Sequence, residues 1–207
     1  GMLNFDHTAD CVRLYHAFSQ DMFVGTGLHL AFPIFELNDF NEIEKHHLSS
    51  VDDIFVTSEW AKQIVLDTIN TTWVHVAPLG VDTTIFKPCS RQANDATVFT
   101  HIGKAEIRKS SCDIVDCFNA AFTEEDDVIL YLSWQNRFYE DMPDWNTYAK
   151  ESPLGHKIQL VPPDIPVAEL VKLYQATDCL VSMSKAEGWN MPLLEAMACG
   201  CNVIATD

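Results

Sequence analysis

Residues 179–207 read CLVSMSKAEGWNMPLLEAMACGCNVIATD, and this stretch decides the fold. Cys179-Leu180-Val181-Ser182 is an apolar run of strand length followed by a polar turn. Residues 192–199 open with Pro192, suited to a first helical position, and stop ahead of Gly200, suited to the residue just past a helix end. Asn202-Val203-Ile204-Ala205 is strand-like again. A strand, a helix and a strand in so short a span imply a helical crossover between parallel strands.

The same alternation runs upstream. Residues 97–102 (TVFTHI), 128–133 (VILYLS) and 157–161 (KIQLV) have strand character, and helices are predicted from about Lys109 to Phe122 and from about Val167 to Gln175. Residues 134–155, with Pro143 and Pro153, are expected to be irregular around a short helix. Nearer the N-terminus, Leu28 to Phe35, 53–57 (DIFVT) and 73–77 (WVHVA) are expected strands. Thr8 to Ser19 places Cys11, Val12, Leu14, Tyr15 and Phe18 mostly three and four apart, which predicts an amphipathic helix. Asp39 to Ser49 reads as a polar helix, and Ser58 offers an N-cap for a helix through about Ile69. Residues 83–96 lack periodicity and hold Pro88, as a linker would. The expected class is α/β with a doubly wound parallel sheet.

Composition narrows the function. Thirteen basic and 30 acidic residues give a net charge of −17, which argues against nucleic-acid binding by bulk electrostatics and confines any phosphate site to a local basic patch. No apolar run reaches the roughly 20 residues of a membrane helix, and no signal-peptide core is evident, so a cytoplasmic protein is expected. Seven cysteines without a CxxC indicate neither a disulfide framework nor a zinc knuckle. Gly1, ahead of Met2, reads as a tag-cleavage residue, and the finish directly after 202–205 suggests a fragment or an unusually short member of a larger family.

Ligands of such sheets sit beyond the carboxyl ends of strands, so two loops matter. After 97–102, Gly103-Lys104-Ala105-Glu106-Ile107-Arg108-Lys109 gathers three of the 13 basic residues. Positive charge at a helix start is mildly unfavourable without a bound anion, which favours a diphosphate site over a solvated helix end. GxxxxGK[ST] and GxGxxG are absent, against a P-loop ATPase or a standard nicotinamide dehydrogenase. After 179–182, Gly188 allows close backbone approach, with Glu187 on the loop and Glu195 about one turn inside the helix. Each carboxylate can accept two hydroxyl donors, as a vicinal diol offers.

With these residues in view, EGWNMPLLEAMACGCNVIATD resembles the Glu-x7-Glu signature of retaining GT-B glycosyltransferases of family four, EGFGLPxLEAMAxGxPVI. VTSEWAKQI at 56–64, VAPLGVDTTIFKP at 76–88, and the Gly103, Lys104 and Lys109 pattern are similar to further family segments. The resemblance runs from about residue 28 to 207. It implies a Rossmann-like GT-B C-terminal half at 97–207, truncated at its C-terminus, a remnant of the acceptor-side domain at 2–82, and a linker at 83–96. By the same resemblance Glu187 contacts the transferred sugar and Glu195 the ribose. Lys104 and Lys109 neutralise the leaving diphosphate, and amides around Gly188, Trp189, Asn190 and Met191 line the sugar and phosphate pocket. The base lies near Leu160 and Val161. Lys109 and Glu187 are the implied catalytic pair. No metal or other cofactor is implied, the nucleotide sugar being the substrate, and the absence of a DxD triplet agrees. Asn190 departs from the commonest glycine at its position.

The implied activity is sugar transfer from a nucleotide sugar to an unidentified acceptor hydroxyl with retention. A non-catalytic nucleotide-sugar binding module and a sugar-nucleotide epimerase are the alternatives. A partial N-terminal half is expected to pack on the donor half, self-associate or move, and to support little turnover by itself. Gly25, Gly27 and His29 match the family's acceptor-side residues by type only, and Phe35-Glu36 resembles a segment near the cleft. Other clusters have plainer readings. His46-His47 with Glu42 and Glu44 suits an exposed helix face better than a metal site, and Cys199 and Cys201 suit packing. Trp134, Phe138, Tyr139, Trp145 and Tyr148 suit an insert packed on the sheet at least as well as a sugar platform.

Overall fold

A computed structural model describes residues 27–90, 95–134, 144–162 and 164–206, together with the backbone of 13–15. The chain divides into two compact units, residues 1–79 with 187–189, and residues 80–186 with 190–207.

The first unit is built on a four-stranded parallel sheet of β1 (Arg13–Tyr15), β2 (His29–Ala31), β3 (Asp53–Val56) and β4 (Val74–Val76), in that order. Residues 13–15 lie in the window expected to be a helix, yet they pair with β2 in the register Arg13↔His29 and Tyr15↔Ala31. Ladder hydrogen bonds to a neighbouring strand outweigh a periodicity that a short apolar run satisfies equally well. β2 is also shorter than expected. It stops two residues before Pro33, which has no N–H to give a ladder.

Helix α1 (Glu42–Leu48) starts at a capping box, in which Asn41 accepts from Glu44 N–H and the Glu44 side chain accepts from Asn41 N–H. Helix α2 (Glu59–Thr68) is capped by the Ser58 hydroxyl, which accepts from Ala61 N–H. Their apolar faces close on the sheet through Leu48, Ile54, Val56, Ala61 and Val65.

The second unit carries a five-stranded, all-parallel sheet in the order β7-β6-β5-β8-β9. Its strands are β5 (Thr97–Gly103), β6 (Val128–Trp134), β7 (Ile158–Leu160), β8 (Cys179–Ser182) and β9 (Asn202–Ala205). Successive strand residues face opposite sides, and that decides where the helices go. Val181 joins Leu130 and Leu132 of β6 in the cluster of Ile114, Val115, Phe118 and Ala149, which come from α3 (Ser111–Ala121) and α4 (Trp145–Glu151). Its neighbour Leu180 joins the cluster of Tyr174, Ala196 and Cys199, which belongs to α5 (Val167–Ala176) and α6 (Met191–Ala198). The sheet is therefore wound on both faces. Leu130, Leu132 and Ile158 are each at most 1% exposed, and burying a side chain of that size contributes about 1.5–3 kcal/mol.

The chain runs outward from β5 to β6 and β7, then returns to β8 on the other side of β5. Strand order reverses between β5 and β8, which creates the crevice where ligands of doubly wound sheets bind. The two loops singled out in the sequence are the two that leave these strands. No helix among the described residues is long and apolar enough to cross a membrane.

Candidate functional site

At the crevice, β5 and β8 are in register at Phe99↔Cys179 and Thr100↔Leu180. One residue further on, the His101 ring takes over, with Nδ1 3.0 Å from the Val181 carbonyl oxygen. The ring is 1% exposed, so a buried side chain meets a backbone carbonyl just where the strands part. Nothing in the run TVFTHI distinguishes this histidine from a core residue, and the sequence reading passed over it.

Gly103 closes β5 opposite Trp134 of β6. A Cβ on Gly103 would lie 3.5 Å from His101 Nε2 and 3.7 Å from Lys109 Cδ, so the glycine, the imidazole and the Lys109 stem share one place. Lys109 was expected to begin the helix. Instead Ile107–Lys109 form one 3-10 turn, and Ser110 follows with φ 54° and ψ 38°. α3 starts only at Ser111. A left-handed residue cannot propagate an α-helix, and for a residue with a Cβ that conformation costs about 1 kcal/mol. Lys104 is exposed and Lys109 half-buried.

Arg108 plays a different part from its two basic neighbours. Its Nη1 donates to the Ala186 carbonyl at 2.6 Å, and its Nη2 donates to Glu106 Oε1 at 2.8 Å. Its own carbonyl accepts from Lys185 N–H at 2.8 Å. The guanidinium fork thus ties the loop after β5 to the loop after β8. Spacing alone counted Arg108 as one more cation and could not show this tie.

The second loop leads into α6 through Asn190, at φ 61° and ψ 62°. Asn tolerates the left-handed region better than most residues, so it can fill a position where the signature it resembles has glycine. Its side chain does not cap the helix. The amide Nδ2 turns back to Ser182 Oγ at 2.8 Å, across the base of the loop. Met191 is the first helical residue and Pro192 the second, one position later than the sequence suggested.

Gly188 works by close approach. A Cβ there would stand 2.5 Å from Ile34 Cγ2 and 3.1 Å from the Phe35 carbonyl oxygen, and Phe35 belongs to the segment the sequence had marked beside Glu36. Thr57, itself buried, donates its hydroxyl to the Gly188 carbonyl at 2.8 Å. In a trans peptide the carbonyl and the following N–H point opposite ways, so the Trp189 N–H is directed away from Thr57. The backbone N–H groups of Gly188, Trp189, Asn190 and Met191 donate to no acceptor among the described residues. Neither does the Trp189 indole N–H, although that atom is buried. Ser184, 5% exposed, likewise has a hydroxyl with no hydrogen-bond partner among the described residues. A run of unengaged amides at a helix start is suited to anionic or hydroxyl oxygens.

Glu187 is half-buried on the same loop. Glu195 is half-buried on α6, and its Oε2 accepts from the Tyr174 hydroxyl at 2.9 Å. Burial raises the Glu195 carboxyl above the ordinary range, and the Tyr174 hydrogen bond lowers it by less. Tyr174 has no exposed surface, and burial followed by the charge of Glu195 raises its phenol strongly. Leu160 and Val161 stand apart from these groups. β7 lies two strands from β5, or about 10 Å across the sheet. The Leu160 side chain packs on the α3–α4 side, and the Val161 N–H is committed to the Leu132 carbonyl at 2.9 Å.

The weaker clusters have structural occupations. Glu42 pairs with Lys45 at 3.2 Å and Glu44 caps α1. Among the described residues no group of three or more His, Cys, Asp or Glu could hold a metal ion. Cys199 and Cys201 are buried in the α5–α6 core. Trp134 is buried against Trp145, with ring centroids 6.4 Å apart, and its indole N–H donates to Asn146 Oδ1. Tyr148 donates to Asp116. Gly25, Phe138 and Tyr139 lie outside the described residues, Gly27 stands in a bend, and His29 sits in β2.

Comparison with known proteins adds to this geometry. Residues 146–207 match the family model described as glycosyl transferases group 1. No curated protein sequence matches the chain. Among solved structures, sucrose-phosphate synthase from Thermosynechococcus elongatus is similar at 20% identity and TM-score 0.72, over 90% of this chain and 51% of that one. A glycosyltransferase from Rickettsia africae is similar at 16% identity and TM-score 0.73, over 95% and 57%. HepE from Anabaena, in complex with UDP-glucose, is similar at 14% identity and TM-score 0.68, over 86% and 53%. The chain thus spans about half the length of the structures it matches. It has the parallel-sheet, Rossmann-like fold of GT-B glycosyltransferases, and its residues 146–207 carry the sequence pattern of group 1 glycosyl transferases.

Proposed function

We propose that this chain binds a nucleotide sugar at the β5–β8 crevice and supplies the donor side of a retaining glycosyltransferase that passes the sugar to an acceptor hydroxyl. The reading is carried by the run of unengaged amides at Gly188, Trp189, Asn190 and Met191, on the loop that leads into the Glu195-bearing helix at a switch point. It is supported by the family match, which includes that loop.

In this reading Lys104 and Lys109 meet the diphosphate, Glu187 the transferred sugar, and Glu195 the ribose hydroxyls. Leu160 and Val161 lie against the base. Cleavage of the glycosyl–phosphate bond places negative charge on the departing diphosphate. Fixed cations and amides stabilise that charge most where water is excluded, and they need no reorganisation as it develops. Lys109 and Glu187 are the groups nearest the reacting bond. The amides of 188–191 hold sugar and phosphate oxygens while the acceptor hydroxyl approaches the same face of the sugar that the diphosphate leaves.

The test incubates the chain with a panel of UDP-, GDP- and ADP-sugars and acceptors, and follows the anomeric configuration of any product by NMR. Retention in a transferred or hydrolysed sugar supports the reading. Inversion refutes retention, and a sugar returned to the nucleotide with altered stereochemistry supports an epimerase.

A further inference from the structure

Tyr174 belongs to α5, yet its hydroxyl ends on α6, 2.9 Å from Glu195 Oε2. It is the largest fully buried side chain among the described residues. It is clamped as well. The Phe86 ring meets it edge-on with centroids 6.1 Å apart, and Cys201 Sγ donates to its carbonyl at 2.9 Å. A phenol held this firmly has one direction for its proton, and a carboxylate receives it. The arrangement has a cost, since both groups are taken from water, and a phenylalanine would fill the same volume without it.

A carboxylate offers about four lone-pair directions over two oxygens. The Tyr174 hydroxyl takes one of them, on Oε2, and Oε1 takes no hydrogen bond among the described residues. One oxygen is therefore anchored from the core while acceptor capacity remains for a diol. We infer that Tyr174 is the positioning residue of the nucleotide site, fixing the Glu195 carboxylate in the orientation and ionisation state that a ribose diol requires. The inference rests on the proposed reading of Glu195 as the ribose contact.

The chemistry sets the sign of the test. Burial favours a protonated Glu195, and the phenol opposes it by donating to the charged form. The thiols of Cys199 and Cys201 lie close enough to influence Tyr174, and no lysine or arginine is among the groups acting on either partner. A protonated Glu195 loses acceptor capacity, so ribose binding should fail on the acid side.

The experiment is calorimetry on the intact chain between pH 4.5 and 8 with UDP, GDP and ADP, and with inorganic pyrophosphate, which has no ribose. Tyr174→Phe should weaken the best-bound nucleoside diphosphate by about three- to tenfold at pH 7, the range for losing one hydrogen bond. It should also move the acid limb of binding upward by up to about one pH unit, and leave pyrophosphate affinity unchanged. Site-specific fluorination of Tyr174 makes its hydroxyl a stronger donor at little change in ring size, and should move the acid limb downward. Equal losses for pyrophosphate and nucleotide, or an acid limb that neither change moves, would show a purely structural tyrosine and overturn the inference. If none of the nucleoside diphosphates binds the unaltered chain, the proposed function fails and this inference with it.

Discussion

Asn190 gives the sharpest test of how the loop before α6 is held. Two terms act at this residue, and two substitutions separate them. The first is backbone strain. At φ 61° and ψ 62°, a residue with a Cβ stands about 1 kcal/mol above glycine. The second is the side-chain bond to Ser182 Oγ at 2.8 Å. Ser182 is 8% exposed, so losing its partner costs about 1–2 kcal/mol, a neutral hydrogen bond plus part of the desolvation of the hydroxyl left behind. Asn190→Ala loses the bond and keeps the strain, for a predicted destabilisation of about 1–2 kcal/mol. Asn190→Gly loses the bond but relieves the strain, for about 1 kcal/mol or less. The gap between the variants, about 1 kcal/mol, corresponds to roughly 3–5 °C in melting temperature for a unit of this size. Urea and thermal unfolding followed by circular dichroism measure both. Equal destabilisation by Ala and Gly would refute the left-handed conformation, and two variants as stable as the parent would refute the Ser182 contact as well.

Other expectations follow from the same site. Lys109→Ala should weaken nucleoside diphosphate binding by about 1.5–3 kcal/mol, read by calorimetry, because a charge-assisted hydrogen bond is lost. Arg108→Lys should destabilise the second unit nearly as much as Arg108→Ala, about 1–2 kcal/mol in urea unfolding, because an ammonium cannot span Ala186 and Glu106 as the fork does. Full rescue by lysine would instead mark Arg108 as a simple cation. Glu195→Gln should raise the melting temperature at pH 7 by about a degree or two. The folded-state pKa of Glu195 is raised, so the folded chain holds its proton more tightly and loses that advantage as pH rises past the raised value. The gain should shrink as pH falls towards the ordinary glutamate range, and an equal gain at every pH would contradict the shift.

Much of the second unit was readable because its strands announce themselves twice, by apolar runs and by punctuation. Pro192 and Gly200 bracket α6 to within a residue, and Ser58 marks the start of α2. The first unit was harder. The run around Leu14 and Tyr15 is compatible with either period, and only pairing with β2, sixteen residues on, settles it, a contact that no local pattern encodes. At the site, residue type and spacing located the two loops but could not assign work within them. Arg108 and Lys109 are adjacent and similarly charged, yet Arg108 is drawn into a staple by carbonyls that come close only in the fold. Tyr174 and His101 escaped notice for a related reason. Each sits in an apolar stretch as a core residue would, and its polar end matters only through a partner about twenty or eighty positions away. Asn190 departs from the glycine of the signature it resembles, yet it adopts the glycine-like conformation and anchors it through its side chain.

The central claim is that the amides of Gly188, Trp189, Asn190 and Met191, with Lys104 and Lys109, hold the diphosphate end of a nucleotide sugar. Amide-resolved NMR of the isotope-labelled chain during titration with UDP, GDP and ADP tests it directly. The account predicts saturable shifts, with one of the three ligands, that are largest at residues 188–191 and 103–109 and are abolished in the Lys104→Ala, Lys109→Ala double variant. Saturable binding whose shifts fall elsewhere on the chain, or no shift with any of the three, would contradict it.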